Sequence, residues 1–271
     1  MTSKNFTSLK ECPLCHQNQP LQKSHIIPKF IGKELKKSSG SQTFVDGINP
    51  QKNPKPQDTP KEFLLCGQCE QLFSKWETDF RNKVMPANQS LLIPINYGDW
   101  MLKFAVSISW RVLAYLKYAR PYTEDEVTSK DLAKFVPALA PEGHDEAANA
   151  LETWRSFLLG NRTNVIPFNQ HFLVLNGKNF PHENCNFVGF TIFQDNDVIA
   201  TNAFLGQFII LGFIRDSSRS IWKGTEINPT SGLIGIQQKI PVAYADWFVK
   251  LLAEIENVSV EDWKHKHSSS T

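Results

Sequence analysis

Two pairs of cysteines constrain this chain more than any other feature. Cys12 and Cys15 form one Cys-x-x-Cys motif, and Cys66 and Cys69 form a second. Four thiolates in two such pairs are the ligand set of a closed, tetrahedral zinc site. A thioredoxin-like redox pair shares this spacing, but neither pair stands in a strand–Cys-x-x-Cys–helix pattern. Since four of the chain's five cysteines are paired in this way, the sequence predicts a structural Zn²⁺.

The segment between the two pairs contains a Ser-His-Ile-Ile-Pro sequence at residues 24–28, and a helical pattern follows the second pair. This arrangement resembles the HNH, or ββα-metal, endonuclease family in its four-cysteine variety. The resemblance covers about the first third of the chain. It implies a zinc-stabilised ββα-metal module that hydrolyses the phosphodiester bonds of nucleic acid with the help of a catalytic divalent ion.

Carried over residue by residue, the resemblance assigns the general base to His25. Ser24 falls on the position of the family's metal-binding Asp, and Glu70 falls on the position of its Asn or His ligand. Serine is a weak metal ligand, whereas a glutamate is a good ligand for Mg²⁺ or Mn²⁺. His25 is therefore the candidate catalytic residue, and Ser24 and Glu70 are the candidate ligands of a catalytic Mg²⁺ or Mn²⁺.

Positive charge is concentrated on the same part of the chain. Residues 1–63 carry ten Lys and no Arg against five acidic residues, whereas the remainder carries 19 basic and 22 acidic residues. A phosphate backbone would be bound where this excess lies. A solvated, lysine-rich loop explains the same charges equally well. The candidate nucleic-acid-binding residues, with DNA favoured over RNA, are Lys23, Lys29, Lys33, Lys36 and Lys37.

Local patterns predict the elements around these residues. A strand is centred on residues 25–27, and Pro28 stops it. Residues 35–62 are rich in Lys, Ser, Gly and Pro, which favours a loop that contacts substrate or becomes ordered on binding. A helix begins near Cys69 and ends at about Val84, with Glu70 and Glu77 on its polar side. An ordinary solvated face, with Glu77 paired to Arg81, explains those two carboxylates as well as a site does.

The rest of the chain predicts an α+β region of no recognised family. Residues 86–98 form a connector, so we expect an HNH-like zinc domain at residues 1–90 and an α+β domain at residues 91–271. Asp99 is a candidate helix N-cap. The predicted helices are 99–118, one from 128, 145–160 and 242–255, and the tail from 261 has no predicted structure. The predicted antiparallel strands are 171–177, 186–194, 197–206, 208–216 and 232–238.

Three histidine-containing segments offer weaker candidates for metal binding. His16 follows the first cysteine pair, but a four-cysteine set already satisfies zinc. Residues 182–185 contain His, Glu and Cys, for which a turn before a strand is the simpler explanation. His265 and His267 alternate with lysines in the tail, where any metal affinity would be incidental.

Composition narrows the location and the partners of the chain. The first residues lack the apolar core of a signal peptide, and the longest low-charge run, residues 198–214, is too short and too polar for a membrane span. Five cysteines, four of them in metal-binding pairs, fit a reducing cytoplasm. We expect nucleic acid as the partner, with a protein partner or a homodimer formed through the C-terminal region and no membrane association.

Two functions from different classes remain open at this stage. The first is a metal-dependent endonuclease, for which the resemblance allows a role in prokaryotic antiviral defence or in a mobile element. The second is a non-catalytic zinc module that binds nucleic acid or a protein partner. The Ile-Ile-Pro that follows His25 favours the enzyme, because a bare zinc scaffold does not require it. Ser24, at the position of the metal-binding Asp, favours the binding module.

Overall fold

The computed structural model describes residues 9–39, 43–46, 61–86, 94–119, 146–175, 180, 186–195, 198–215, 219–234 and 240–268. In the first third of the chain the elements are β1 (Lys10–Glu11), β2 (Asn18–Gln19), β3 (Leu21–His25), α1 (Lys29–Ser39), β4 (Thr43–Asp46), β5 (Lys61–Cys66) and α2 (Gly67–Lys83). Strands β3 and β5 pair antiparallel, and α2 follows β5 without a connecting loop. Strands β3 and β5 and helix α2 are therefore adjacent, although α1 and β4 lie between the two strands in the chain.

The remainder of the chain combines helices with an antiparallel sheet. Its strands are β6 (Ile95–Gly98), β7 (Gln170–Val174), β8 (Phe187–Asp195), β9 (Val198–Gly206), β10 (Phe208–Arg215) and β11 (Ser231–Ile234). Its α-helices are α3 (Trp100–Ala114), α4 (Glu146–Leu158), α5 (Val242–Glu256) and α6 (Val260–Ser268), and α3 continues into a π-helical turn at Tyr115–Ala119. The predicted mixture of helices and antiparallel sheet is confirmed.

One five-stranded sheet, with the order β4-β8-β9-β10-β7, forms the middle layer of the molecule. All its pairings are antiparallel except that of β4 with β8, which is parallel. Because side chains alternate between the faces of a strand, β10 supplies Ile210 to one core and Leu211 to the other. Helices α1 to α4 cover the first face, and α5 and α6 cover the second.

The cysteine-containing segment, which lies within residues 1–90, shares its core with the second region, which lies within residues 91–271. The ring of Phe80 in α2 stacks on Phe104 of α3, with 4.2 Å between the centroids, and meets Phe172 and Phe208 of the sheet edge-on. Such pairs stabilise a core beyond the area that they bury. The division into residues 1–90 and 91–271 stays a prediction, and the two parts contact each other through this aromatic cluster.

Buried polar side chains connect the helices and loops to the sheet. The hydroxyl of Ser109 in α3 donates to Gln170 (2.6 Å), and the hydroxyl of Tyr244 in α5 donates to Asn202 (3.0 Å). His171 lies 2.8 Å from the hydroxyl of Thr225, and its burial lowers the pKa of the imidazole to about 4. These groups are almost fully buried, so their hydrogen bonds offset the cost of removing them from water.

The structure differs from the sequence prediction in the segment between β3 and β5. Helix α1 and strand β4 occupy part of the predicted loop at residues 35–62. The helix forms because Ile31 and Leu35, one turn apart, are both fully buried. Strand β4 takes its hydrogen bonds from β8, which lies far along the chain, so no local pattern indicates it.

Several helix ends also differ from prediction. Asp99 has helical backbone angles and makes no capping hydrogen bond, because its carboxylate accepts from Lys103 (2.6 Å). Residues 260–268 form α6, where the sequence predicted an unstructured tail, because Trp263 is fully buried and Ser259 accepts the N–H of Asp262 (3.0 Å). The helix predicted from residue 128 lies outside the described residues. In the described ranges, no helix has both the length and the apolar character that a membrane span requires.

Gly189 provides a test of the β4–β8 pairing. Its φ is +148°, and a Cβ atom added there would lie 1.9 Å from the carbonyl oxygen of Val45. We expect Gly189→Ala to lower the free energy of unfolding by about 1–3 kcal/mol or more, because both the backbone and the parallel strand would have to move. Gly67→Ala is the control, since its Cβ would have no neighbour within 4 Å. Equal denaturant midpoints for the two variants would contradict this pairing.

Candidate functional site

The four cysteines of the two motifs lie together in the structure. Their sulfur atoms are all within 4.8 Å of one another, with 3.9 Å between Cys12 and Cys69 and 3.7 Å between Cys15 and Cys66. A tetrahedral zinc site with Zn–S bonds of about 2.3 Å has sulfur–sulfur edges of about 3.8 Å. The four side chains therefore have the spacing that a closed zinc site requires.

Two turns of the backbone bring the cysteines together. The first pair lies in the turn between β1 and β2, where His16 takes a positive φ of 59° and its N–H bonds the carbonyl of Cys12 (2.8 Å). The second pair lies where β5 passes into α2, so a strand–Cys-x-x-Cys–helix order that the sequence did not indicate is present there, and the zinc assignment depends on both pairs joining one cluster. The two motifs meet directly, because the backbone N–H of Cys66 donates to the sulfur of Cys12 (3.4 Å). The imidazole of His16 contacts Glu11 and is not part of the sulfur cluster.

The hydrogen bonds among the four thiols involve protons that a bound cation would replace. The thiols of Cys12 and Cys69 are hydrogen-bonded to each other, and this contact lowers the pKa of Cys12 and raises that of Cys69. Burial raises the pKa of Cys15. Four thiolates this close would repel one another in the absence of a positive ion. A divalent metal displaces the protons on binding, so the donor set fits Zn²⁺.

The candidate general base is the last residue of the β3–β5 ribbon. His25 is half-buried, and its Cα partner on β5 is Lys61. Ser24 precedes it and is 1% exposed. Its hydroxyl oxygen accepts the N–H of Leu65 (3.1 Å) and lies 3.4 Å from the carbonyl of Gln22. The structure therefore places Ser24 in the hydrogen bonding between the strands.

Glu70 lies in the first turn of α2, directly after Cys69. One of its carboxylate oxygens, Oε1, is buried and has no hydrogen-bond partner among the described residues. A buried carboxylate oxygen without a donor is stabilised by a nearby cation. In the part of the chain that the structure describes, the four cysteines form the one group of three or more metal-ligating side chains within reach of a shared ion.

The five candidate lysines lie at the surface of two neighbouring elements. Lys23 is exposed on β3, and the other four are exposed on α1. Lys29, Lys33 and Lys37 are spaced by four residues, so they share one face of the helix. Glu34 partly neutralises that face, because its carboxylate lies 3.3 Å from both Lys37 and Arg81.

Arg111 is a site residue for which the local sequence pattern predicts no role at the site. It is 2% exposed on α3, and it donates to the carbonyl of His25 (3.0 Å) and to the carboxylate of Glu77 (2.7 Å). Its guanidinium also lies over the ring of Phe73, 5.3 Å from the centroid. The sequence does contain a signal for this pairing, because Arg111 stands in a mostly apolar helical pattern. An arginine in such a position is buried only when its charge is paired.

A second arginine makes an equivalent contact to the first cysteine motif. Arg155 of α4 donates to the carbonyl of Leu14 (3.2 Å) and pairs with Glu152 of its own helix. The second region therefore holds the backbone of the cysteine-containing segment at two points. Glu77 pairs with Arg111 in this arrangement, whereas Arg81, the partner expected from sequence, pairs with Glu34.

The remaining histidine candidates do not join this site. Residues 182–185 lie outside the described residues. His267 lies 3.4 Å from the carboxylate of Glu256 and against the ring of Trp263, and His265 is exposed on the same helix. Searches against family models, curated proteins and solved structures found no match to this chain.

We expect purified, reduced protein to contain about one zinc ion per chain. Replacing Cys66 by Ser should remove the metal and unfold the cysteine-containing segment, because metal binding contributes to the folding of such sites. Elemental analysis and circular dichroism measure the two effects. Cys185→Ser is the matched control and should keep the metal, since Cys185 stands outside both motifs. A folded, reduced sample without bound metal would contradict a zinc site.

Replacing Arg111 tests the contact between α3 and the ribbon. Arg111→Ala leaves the Glu77 carboxylate and the His25 carbonyl without their donor, and breaking a buried ion pair in this way typically costs about 3–5 kcal/mol. Lys103→Ala on the same helix is the control, because its exposed pair with Asp99 should contribute about 0–1 kcal/mol. Urea unfolding measures both, and equal losses would show that the Arg111 contacts are not important for stability.

Proposed function

We propose that this protein is a metal-dependent endonuclease that hydrolyses phosphodiester bonds of nucleic acid. One observation carries the proposal. His25 ends a strand whose antiparallel partner leads through the second cysteine motif into α2, with the four thiols gathered at that junction. This pairing supports the strand–strand–helix arrangement that the HNH resemblance implies, with α1 and β4 inserted between the two strands.

In this proposal His25 acts as the general base. Its imidazole accepts a proton from the water that attacks the scissile phosphate. Arg111 holds the carbonyl of His25, which fixes the end of the strand from which the imidazole projects. The four cysteines hold a structural zinc that keeps β5 and α2 in place, because so small a segment has little core of its own.

Glu70 is the proposed protein ligand of the catalytic ion. A bound Mg²⁺ or Mn²⁺ would stabilise the charge that develops on the phosphate and the leaving oxygen. The buried carboxylate oxygen of Glu70 supports this role, because it has no hydrogen-bond partner among the described residues. Mg²⁺ commonly keeps several water ligands, so one or two protein carboxylates suffice to hold it.

The second candidate function is a zinc module that binds nucleic acid or a protein without cleaving it. The position of Ser24 favours this alternative. Its hydroxyl oxygen accepts a backbone N–H of β5, so the residue at the position of the family's metal-binding Asp serves the strand pairing. A role in prokaryotic defence rests on the resemblance alone. The proposal of a cytoplasmic location rests on cysteine usage, since four of the five cysteines stand in metal-binding pairs.

His25→Ala separates the two functions. We expect it to lower the rate of plasmid or RNA cleavage in Mg²⁺ or Mn²⁺ by about 10²–10⁴-fold, because the attacking water loses its base. Zinc content should stay unchanged, because His25 is not one of the four thiol ligands, and the variant should still bind nucleic acid. Glu70→Gln should lower activity in a way that high Mn²⁺ partly restores. His265→Ala, an exposed histidine on α6, is the control.

Two outcomes would overturn the nuclease. In the first, zinc-loaded wild-type protein cleaves neither DNA nor RNA with either metal but still binds them. In the second, His25→Ala cleaves as fast as the control. Either result would leave the binding module as the function that the structure supports.

A further inference from the structure

The β3–β5 ribbon presents one face on which an aromatic ring and basic groups lie side by side. The register pairs Lys23 with Phe63 and His25 with Lys61. Residues directly opposite each other in an antiparallel pair share a face, and a step of two residues returns to that face. Lys23, His25, Lys61 and Phe63 therefore form one surface, which we call the ribbon face.

Phe63 is 52% exposed, whereas the next two residues of β5, Leu64 and Leu65, are buried. The ribbon has a bulge at this point, because Gln22 is opposite Leu65 and Lys23 is opposite Phe63, which leaves Leu64 without a partner. A bulge changes the direction in which a strand presents its side chains. Ser24 stabilises this one by accepting the N–H of Leu65 (3.1 Å). The exposed ring is thus supported by a specific backbone arrangement.

We propose that the ribbon face binds unpaired nucleotides, with a base stacked on Phe63 and the adjoining phosphates at Lys23 and Lys61. The inference rests on the proposed function, since it takes nucleic acid as the substrate, and it assigns the substrate class as single-stranded. An exposed aromatic ring between cations is the combination with which proteins bind single strands without reading their sequence. The only acidic side chain next to Phe63 in β5, that of Glu62, uses its carboxylate to accept the backbone N–H of Phe63 (2.8 Å).

Charge and ring geometry together favour a single strand over a duplex. Every base has a flat face that can stack on phenylalanine, but in a duplex the neighbouring base pairs cover those faces. Phenylalanine has no donor or acceptor with which to read base edges in a groove. His25 is two residues from Lys23, about 7 Å along the strand, so a nucleotide next to the stacked base would lie near the candidate general base.

The experiment measures the binding of fluorescently labelled 12-nucleotide oligomers to zinc-loaded protein without Mg²⁺ or Mn²⁺. The probes are a single strand, the same phosphate chain with abasic sites, and a blunt duplex. We expect the wild type to prefer the single strand to both. Phe63→Ala should weaken its binding by about 5- to 150-fold and leave abasic binding unchanged. Phe63→Trp should retain affinity, and Phe63→Leu should lose it, because leucine is apolar but cannot stack.

Two further variants complete the test. Lys23→Ala should weaken the binding of the single strand and of the abasic chain alike, and should lower the salt dependence of each by about 0.7 per phosphate lost. Leu233→Ala is the control, since Leu233 is a similarly exposed (56%) apolar residue on another strand, β11, and it should change nothing.

The inference would be overturned if Phe63→Ala bound as tightly as the wild type, or if the wild type bound the abasic chain or the duplex as well as the single strand. A protein that bound no nucleic acid would contradict both this inference and the proposed function. If Phe63-dependent binding were found with no cleavage under any metal, the ribbon face would stand and the nuclease would fall.

Discussion

The closing of four thiols around one point is the constraint on which the rest of this structure depends. Cys12 and Cys69 are 57 residues apart in the chain, yet their sulfur atoms lie within 3.9 Å. That contact aligns the first turn of α2 with the β1–β2 turn and ends β5 at the point where α2 begins. The strand that carries His25 is paired to β5, so its position follows from the same closure.

Two arginines join this closed segment to the remainder of the molecule. Arg111 and Arg155 come from helices α3 and α4, and each donates to a backbone carbonyl of the cysteine-containing segment. Backbone carbonyls are acceptors that side-chain substitution cannot remove, so these contacts depend on the arginines alone. The aromatic cluster around Phe80 adds an apolar interface beside them. The second region thus contributes to the geometry around His25 through its described arginines and aromatic side chains.

Sequence alone predicted those features whose signal is local. The cysteine pairs, the helix that follows them and four strands of the main sheet each have a pattern within about ten residues, and the structure contains all of them. Strand β4 was missed because its partner is β8, and α6 was missed because only the burial of Trp263 reveals its apolar side. The roles of Arg111 and Ser24 were missed for the same reason, since their partners are distant in sequence. The catalytic assignments of His25 and Glu70 stay predictions.

The parallel pairing of β4 with β8 has a consequence for how the protein forms during translation. Val45 pairs with Gly189, so roughly 140 residues must be synthesised before β4 can find its place, which takes about 7–30 s at typical elongation rates. The thiol cluster needs only the residues up to Cys69 and can close much earlier. At that time the nascent chain contains all four cysteines of the cluster. Strand β4, which lies between the two cysteine pairs in the chain, still lacks its partner β8. During that interval the unpaired edge of β4 is open to other chains, and the early closure of the cysteines tethers both ends of the stretch that carries it.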